Sequence, residues 1–131
     1  MSDLVNTLKN EHRAIQNLLQ GASQAGVTTA DGRAKLKKAK ALLIGHLEKE
    51  DRQLYPVLLN SGDAGLAGSF AEEMQAISRQ VVAFFEKYEN GGDDFQFAVD
   101  FGKVLGLLNN RIRREEASLY RRYEALVSDP A

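Results

Sequence analysis

The chain of 131 residues contains no cysteine, no tryptophan and only two prolines. The lack of cysteine excludes disulfides, thiolate zinc sites and a thiol nucleophile. The formal net charge of −1 argues against a general nucleic-acid-binding protein. No apolar run approaches the roughly 20 residues of a membrane span, and no signal-peptide pattern is visible at the start of the chain. We therefore expect a cytoplasmic protein with no nucleic-acid or membrane partner.

The composition is that of an ordinary globular protein, with 44% hydrophobic and 27% charged residues. This length is enough for one domain with one sizeable core, so we expect a single domain over residues 1–131. No segment shows sustained alternation of apolar and polar residues, so strands are not predicted.

Four segments instead repeat apolar residues at spacings of three and four, which is typical of amphipathic helices. Short breaks rich in glycine and asparagine separate them, and this order predicts an all-α, antiparallel up-down-up-down four-helix bundle. Ser2 or Asp3 is expected to cap the first helix, and Ser69 with Glu72 to cap the third. The predicted helices are about Asp3–Gln20, Thr29 or Asp31 to Leu59, Ser69–Glu89 and Asp94–Leu126.

The second helix is predicted to be irregular because Pro56 lies inside it, and we expect a kink or an early end near Leu54 or Tyr55. Its apolar seam otherwise continues without a slip. The seam consists of Leu36, Ala39, Leu43, His46, Glu50, Gln53 and Val57.

Several polar residues lie on these apolar seams. His46 and Glu50 are four residues apart, so on a helix they share one face and point to the core. Buried polar groups need partners, a metal or water. The other polar residues on the seams are His12, Arg111 and Glu115, and Met74 is the sixth member of this group. Imidazole and carboxylate together suit iron, manganese or zinc.

The chain also resembles itself. The run from Glu11 to Ile15 matches the run from Glu73 to Ile77, and the run that begins at His46 matches the one that begins at Arg111. The repeat makes Met74 the counterpart of His12, and Arg111 the counterpart of His46. Tyr55 and Tyr120, five residues after each glutamate, either reach the polar layer through their hydroxyls or close the end of the bundle.

These motifs are similar to those of the hemerythrin-like, or HHE cation-binding, domains, whose pattern is a histidine on helices one and three and His-x-x-x-Glu on helices two and four. The resemblance covers nearly the whole chain and implies a non-haem metal centre. By this resemblance one ion would be held by His12, His46, Glu50 and Glu115. The second ion would need histidines where the chain has Met74 and Arg111, so we expect at most one Fe, Mn or Zn ion and no full di-iron centre.

Arg111 offers a substitute for the second ion. Two buried carboxylates repel each other, and a guanidinium beside them supplies positive charge and several donors. We hypothesise that Arg111 stands where the second ion would be and pairs with Glu115, Glu50 or both. The alternatives are that Arg111 extends to solvent and that Met74 is simply an apolar core residue.

The leading interpretation is a non-enzymatic protein with a sensing, regulatory or metal-handling role, which holds one metal or has kept only a salt-bridged polar core. The rival is a metal-free protein-interaction regulator, similar to bacterial anti-sigma regulators in Gly45-His46, the aromatic end of helix three and Asp94-Phe95-Gln96. A di-iron O2-binding protein or oxidase is the third reading. Any protein partner is unknown, and the chain is expected to be a monomer or a homodimer.

Overall fold

The structure is a computed structural model that describes residues 2–62 and 64–128, and these residues form four helices and no strand. Helix α1 is Asp3–Ala25 and helix α3 is Ala64–Tyr88. Helix α2 runs through Ala30–Lys49, a π-helical turn at Glu50–Leu54 and an α-helical end at Tyr55–Leu59. Helix α4 runs through Asp94–Arg114, a second π-helical turn at Glu115–Leu119 and Tyr120–Ser128. The predicted all-α four-helix bundle is confirmed.

Contacts between the helices show that neighbours run in opposite directions. The backbone N–H of Ser2, before α1, donates to Glu124 near the end of α4. At the other end of the same helix pair, the N–H of Val27 donates to Asp94 at the start of α4. Lys40 of α2 pairs with Glu89 beyond the end of α3. This pairing is that of an up-down-up-down bundle.

The helix starts follow the polar residues before them. Ser2 caps α1 by accepting from the N–H of Val5 at 3.3 Å, and Asp93 caps α4 by accepting from the N–H of Gln96 at 2.8 Å. Thr29 caps α2 by accepting from the N–H of Gly32 at 3.0 Å. A cap of this kind satisfies one of the backbone donors that every helix start leaves free.

Two predicted helix ends are wrong. Helix α1 continues past Gln20 to Ala25, because Ala22 packs into the core and Gly26, with φ of 82°, ends the helix. Helix α3 begins at Ala64 rather than at Ser69, so Ser69 is not its cap. In both places burial of small apolar residues extends a helix through glycines that the sequence pattern treats as breaks.

The irregularity near Pro56 is a π-helical turn rather than an end. The N–H of Tyr55 donates to the carbonyl of Glu50, five residues back, and Pro56 has no N–H to continue the ordinary ladder. The extra residue shifts the seam. Gln53, predicted to face the core, is exposed, and Leu54 is buried in its stead. A matching turn follows Glu115, where the N–H of Tyr120 donates to the carbonyl of Glu115.

The core consists of two apolar clusters. One includes Phe84, Phe85, Tyr88 and Phe97 and lies where α3 ends and α4 begins. The other packs Leu8, Leu58, Phe70 and Tyr123 where α1 begins and α4 ends. Between the clusters lies a layer of buried polar residues. They are Glu11, His12, His46, Glu50, Arg111 and Glu115.

Candidate metal centre

The two histidines meet inside the bundle. His12 on α1 is 2% exposed and His46 on α2 is 3% exposed. The Nε2 atom of His12 lies 3.0 Å from Oε1 of Glu115, which α4 supplies from the start of its π-helical turn. One ligand atom from each of His12, His46 and Glu115 lies within 4.8 Å of the other two. Three of the four residues that the sequence indicates as metal ligands are thus brought together.

Each imidazole is held from behind by a carboxylate. Nδ1 of His12 lies 2.7 Å from Oε2 of Glu116, and Nδ1 of His46 lies 3.0 Å from Oε1 of Glu11. Lys49 binds the other oxygen of Glu11. A carboxylate on one ring nitrogen directs the other nitrogen at the ion in most histidine metal sites. Glu11 and Glu116 were missed in the sequence, although each is adjacent to a predicted ligand.

Glu50 completes the group with one oxygen and leaves the other free. Its Oε2 lies 3.6 Å from Nε2 of His46 and accepts from the hydroxyl of Tyr120 at 2.8 Å. Its Oε1 has no hydrogen-bond partner, the only such case among the buried side-chain polar atoms of the described residues. Glu50 is 0% exposed. A buried carboxylate oxygen without a partner is costly, so this atom calls for a cation, a proton or a water molecule.

Tyr120 reaches the same point from α4. Its hydroxyl lies 3.1 Å from Nε2 of His12 and 3.4 Å from Nε2 of His46, besides its bond to Glu50. Of the two roles predicted for Tyr120, the structure shows the first, because the hydroxyl reaches the polar layer. Burial, reinforced by the charges of Glu115 and Glu50, raises the pKa of Tyr120, so the group stays a phenol while the layer holds no metal ion.

The charges of the layer are unequal. Burial raises the pKa of Glu50 and the charge of Glu115 adds to the effect, against the opposing influence of His46. Burial also works to raise the pKa of Glu115, but the hydrogen bond with His12 and the charge of Arg111 outweigh it and lower the pKa. Burial works to lower the pKa of His46, yet its hydrogen bond and charge interaction with Glu50 raise it. Of the two carboxylates, Glu115 thus has the lowered pKa and Glu50 the raised one, so Glu50 takes up a proton more readily when no metal ion is present.

Arg111 lies inside the bundle and is 2% exposed, so the alternative that it extends to solvent is wrong. Its Nε donates to Oε2 of Glu115, its Nη2 to the hydroxyl of Tyr55 and its Nη1 to Oε1 of Glu73, each at 3.0 Å. The guanidinium carbon lies 4.5 Å from the ring centre of Phe70. Of the two carboxylates in the original hypothesis, Arg111 pairs with Glu115.

The contacts repeat in the two halves of the chain. In each half, a glutamate on the first helix binds a residue on the second helix and the residue three positions after it. The sets are Glu11 with His46 and Lys49, and Glu73 with Arg111 and Arg114. Met74, buried at 7% exposure, follows Glu73 as His12 follows Glu11. The internal repeat read from the sequence is therefore a repeat of interactions.

The space between these groups fits one ion. A cavity of about 20 Å³ is lined by five of the six polar residues of the layer together with neighbouring apolar side chains. Its walls are His12, Ile15, Leu43, His46, Leu47, Glu50, Met74, Leu108, Arg111, Ile112 and Glu115. This is room for about one water molecule or one ion. Two imidazoles and two carboxylates suit a divalent transition metal. A second ion does not fit, because a thioether is a poor ligand for iron and a guanidinium does not ligate.

Comparison with known families agrees with this geometry. The family model of the hemerythrin HHE cation-binding domain matches residues 3–123. The chain therefore belongs to the hemerythrin HHE cation-binding family. No curated protein and no solved structure matches the chain. Among the described residues, none of the helices combines the length and the apolar character that a membrane span requires.

Proposed function

We propose that this protein binds a single transition-metal ion between His12, His46 and Glu115, with Glu50 as the fourth ligand, and serves in metal handling or sensing rather than catalysis. The observation that carries the proposal is the orientation of the two imidazoles. Each Nδ1 faces a carboxylate, Glu116 or Glu11, while the Nε2 atoms of His12 and His46 lie 3.1 and 3.4 Å from the hydroxyl of Tyr120 inside the layer. This arrangement is that of histidines prepared to ligate.

The charge balance of the layer also favours one ion. The carboxylates of Glu50 and Glu115 are buried with a single permanent cation, the Arg111 guanidinium. With these two carboxylates ionised, both histidines neutral and Glu11 paired with Lys49, the layer is one positive charge short, and a proton or a metal ion has to supply it. Because Arg111 already donates to one oxygen of Glu115, the missing positive charge is needed on the side of the layer where the two histidines lie.

Iron or manganese in this position would supply one-electron redox chemistry, whereas zinc would supply none. The chain's own groups would set the conditions. Tyr120 offers a hydroxyl to the ligands, and Glu11 and Glu116 hold the imidazoles in orientation. Arg111 stands where a ligand of a second ion would be needed, which supports a role with one ion rather than a di-iron centre.

Elemental analysis of protein purified without added metal tests the proposal. We expect near one equivalent of iron, manganese or zinc per chain, lost in His46→Ala. Gln16→Ala is a matched control, because Gln16 lies on α1 one turn after His12 and bonds Asn109 outside the metal layer. Protein that is metal-free as purified and does not take up added Fe(II), Mn(II) or Zn(II) would overturn the assignment.

A second candidate function is binding of a partner protein without metal. The start of α4 presents Phe95, which is 77% exposed, and Val99, which is 41% exposed one turn further on. Exposed apolar side chains on one helical face are typical of docking surfaces. Direct binding to a purified housekeeping sigma factor, weakened by Phe95→Ser and unaffected by a chelator, would support this function in place of the first.

A further inference from the structure

The side of α4 that faces away from the core carries a stripe of uncharged residues, here called the outer stripe. It consists of Phe95, Val99, Gly102 and Gly106, which follow one another at spacings of four, three and four. At about 100° per residue, these four positions lie within an arc of about 60° on the helix. All four are exposed, and Phe95, at 77%, is the most exposed large apolar side chain among the described residues.

The two glycines of the outer stripe have no explanation within the chain. Glycine is the poorest helix former after proline, and both glycines stand in the interior of α4. A Cβ atom added at either position would meet no atom of a neighbouring helix within 4 Å, so no close packing inside the bundle requires them. They instead border an open groove of about 450 Å³ between α3 and α4. The stripe thus has projecting side chains at one end and a recess at the other.

These two ends complement each other. When two copies of α4 meet in opposite directions, Phe95 of one copy lies opposite Gly106 of the other, and Val99 lies opposite Gly102. The two pairs have the same midpoint along the helix, so a single two-fold axis relates both of them. Because such an axis repeats every contact, each copy supplies both projecting side chains and both recesses.

The charges along α4 favour the same antiparallel contact. The charged residues from position 93 to position 100 are all acidic, and those from position 101 to position 114 are all basic. An antiparallel contact sets the acidic part of each copy against the basic part of the other, and it also opposes the two helix dipoles. A parallel contact would bring like charges together. The net charge of −1 leaves little general repulsion between copies.

We propose that the outer stripe is an interface between two copies of this chain, which pack antiparallel through α4 with Phe95 of each copy against Gly106 of the other. The stripe is about 16 Å long at about 1.5 Å per residue. A contact of this length is at the small end of protein interfaces, below about 1,200 Å² of buried surface, so the dimer is weak and depends on concentration. The interface does not involve the metal ion, because the stripe faces away from the polar layer.

Sedimentation equilibrium of the full chain, from low micromolar to submillimolar concentration, tests the proposal. We expect a reversible equilibrium between monomer and dimer. Val99→Ser should raise the dissociation constant at least about tenfold, because the two-fold axis removes the apolar side chain twice. Ile44→Ser is the matched control, since Ile44 is 42% exposed on α2 and Val99 is 41% exposed in the stripe. The control should leave the dissociation constant within about twofold.

Exchanging the two ends of the stripe tests the register of the contact. Phe95→Gly removes the projecting ring, and Gly106→Phe places a ring where Phe95 of the other copy has to lie, so each variant should be monomeric. The double variant Phe95→Gly/Gly106→Phe should dimerise again, because each new ring then faces a glycine. Circular dichroism checks that every variant keeps the folded bundle, which we expect because both positions are exposed.

Three results would overturn the proposal. A wild-type chain that is monomeric at every concentration would leave the stripe to another protein, as the second candidate function requires. A dimer that persists in both Phe95→Gly and Gly106→Phe would show that the contact lies elsewhere on the molecule. A double variant that stays monomeric would contradict the antiparallel register.

Discussion

The two halves of the chain have the same framework and different occupants. In α1 and α2, Glu11 holds His46, whose second nitrogen lies 3.4 Å from the hydroxyl of Tyr120 and which lines the metal cavity. In α3 and α4, the corresponding glutamate, Glu73, holds Arg111, which donates to Glu115 and Tyr55. Both second helices carry a buried glutamate at the start of a π-helical turn. The half with the histidine has room for a metal cation, and the other half has a cation of its own in the side chain of Arg111.

This difference teaches that the bundle does not need two metals to satisfy a polar core. The guanidinium of Arg111 supplies fixed charge and directed donors, as a metal would, and it cannot be removed by a chelator. Its partners are neutral or anionic oxygens at 3.0 Å. The histidine half has no such internal cation, and there the unpartnered oxygen of Glu50 remains.

Arg111→Ala has the largest expected effect, and it tests whether the guanidinium is the cation of its half. It leaves Glu115 buried without its cation, and we expect a loss of roughly 3–5 kcal/mol in the free energy of unfolding. Urea denaturation of the metal-free protein measures it. Arg114→Ala is the matched control, since Arg114 binds the same Glu73 but its side chain is 45% exposed, and it should cost well under half as much. Equal stability of Arg111→Ala and wild type would refute the buried-pair account.

Removing the hydroxyl of either tyrosine compares the two halves of the chain. Tyr120→Phe removes the hydrogen bond to Oε2 of Glu50, whose other oxygen has no partner, and should cost about 1–3 kcal/mol. Tyr55→Phe removes one of several partners of Arg111 and should cost less. Thermal unfolding of the metal-free variants measures both. The reverse order would show that Glu50 is satisfied in another way.

Replacing the outer carboxylates, the glutamates that hold the residues of the layer from outside, distinguishes the half that binds metal from the half that only stabilises the fold. Glu116→Gln should weaken metal binding about 10–100-fold, because the carboxylate fixes the ring of His12. Glu73→Gln, in the half that Arg111 fills, should leave metal affinity within about twofold and lower stability only. Competition with a chelator of known affinity measures the difference. Similar losses of affinity in both variants would contradict the division.

The smallest effect concerns pH. The pKa of His46 is raised above its usual 6.5, so in metal-free protein the imidazolium stabilises the fold fully below about pH 6.5, and this stability is lost as the pH rises through the raised value. The guanidinium of Arg111 shows no such loss in this range. The melting temperature of chelator-treated protein should therefore fall modestly as the pH increases above 6.5, and His46→Asn should flatten the dependence. A rise over this window would contradict the sign.

The polar layer was predictable because His12, His46, Glu50, Arg111 and Glu115 interrupt apolar seams, and such interruptions are visible in a linear pattern. The outer carboxylates were not predictable in the same way. Glu116 is one-third exposed, and a glutamate in that position fits an ordinary solvated helix face equally well. The contact between α1 and α4 that gives it a role depends on tertiary packing.

The helix boundaries illustrate another limit. The sequence predicts a break at Gly21 and a start at Ser69, because isolated glycines and serines weaken a helix locally. Burial of Ala22 and Ala67 outweighs that local cost. Pro56 indicated an irregularity where the π-helical turn at Glu50 is found. The equivalent turn at Glu115 contains no proline, and a hydrogen bond between residues five positions apart leaves no mark in the composition.

The paired π-helical turns have a consequence for what surrounds the centre. Each turn begins at a glutamate of the layer and holds one residue more than an α-helical turn needs. In a regular α-helix, a residue five positions after a glutamate would point about 140° away from it, because each residue turns the helix by about 100°. The inserted residue instead brings Tyr55 and Tyr120 round to the buried side, where their hydroxyls bond Arg111 and Glu50. The two turns thus give each of these glutamates a tyrosine on the same side of its helix.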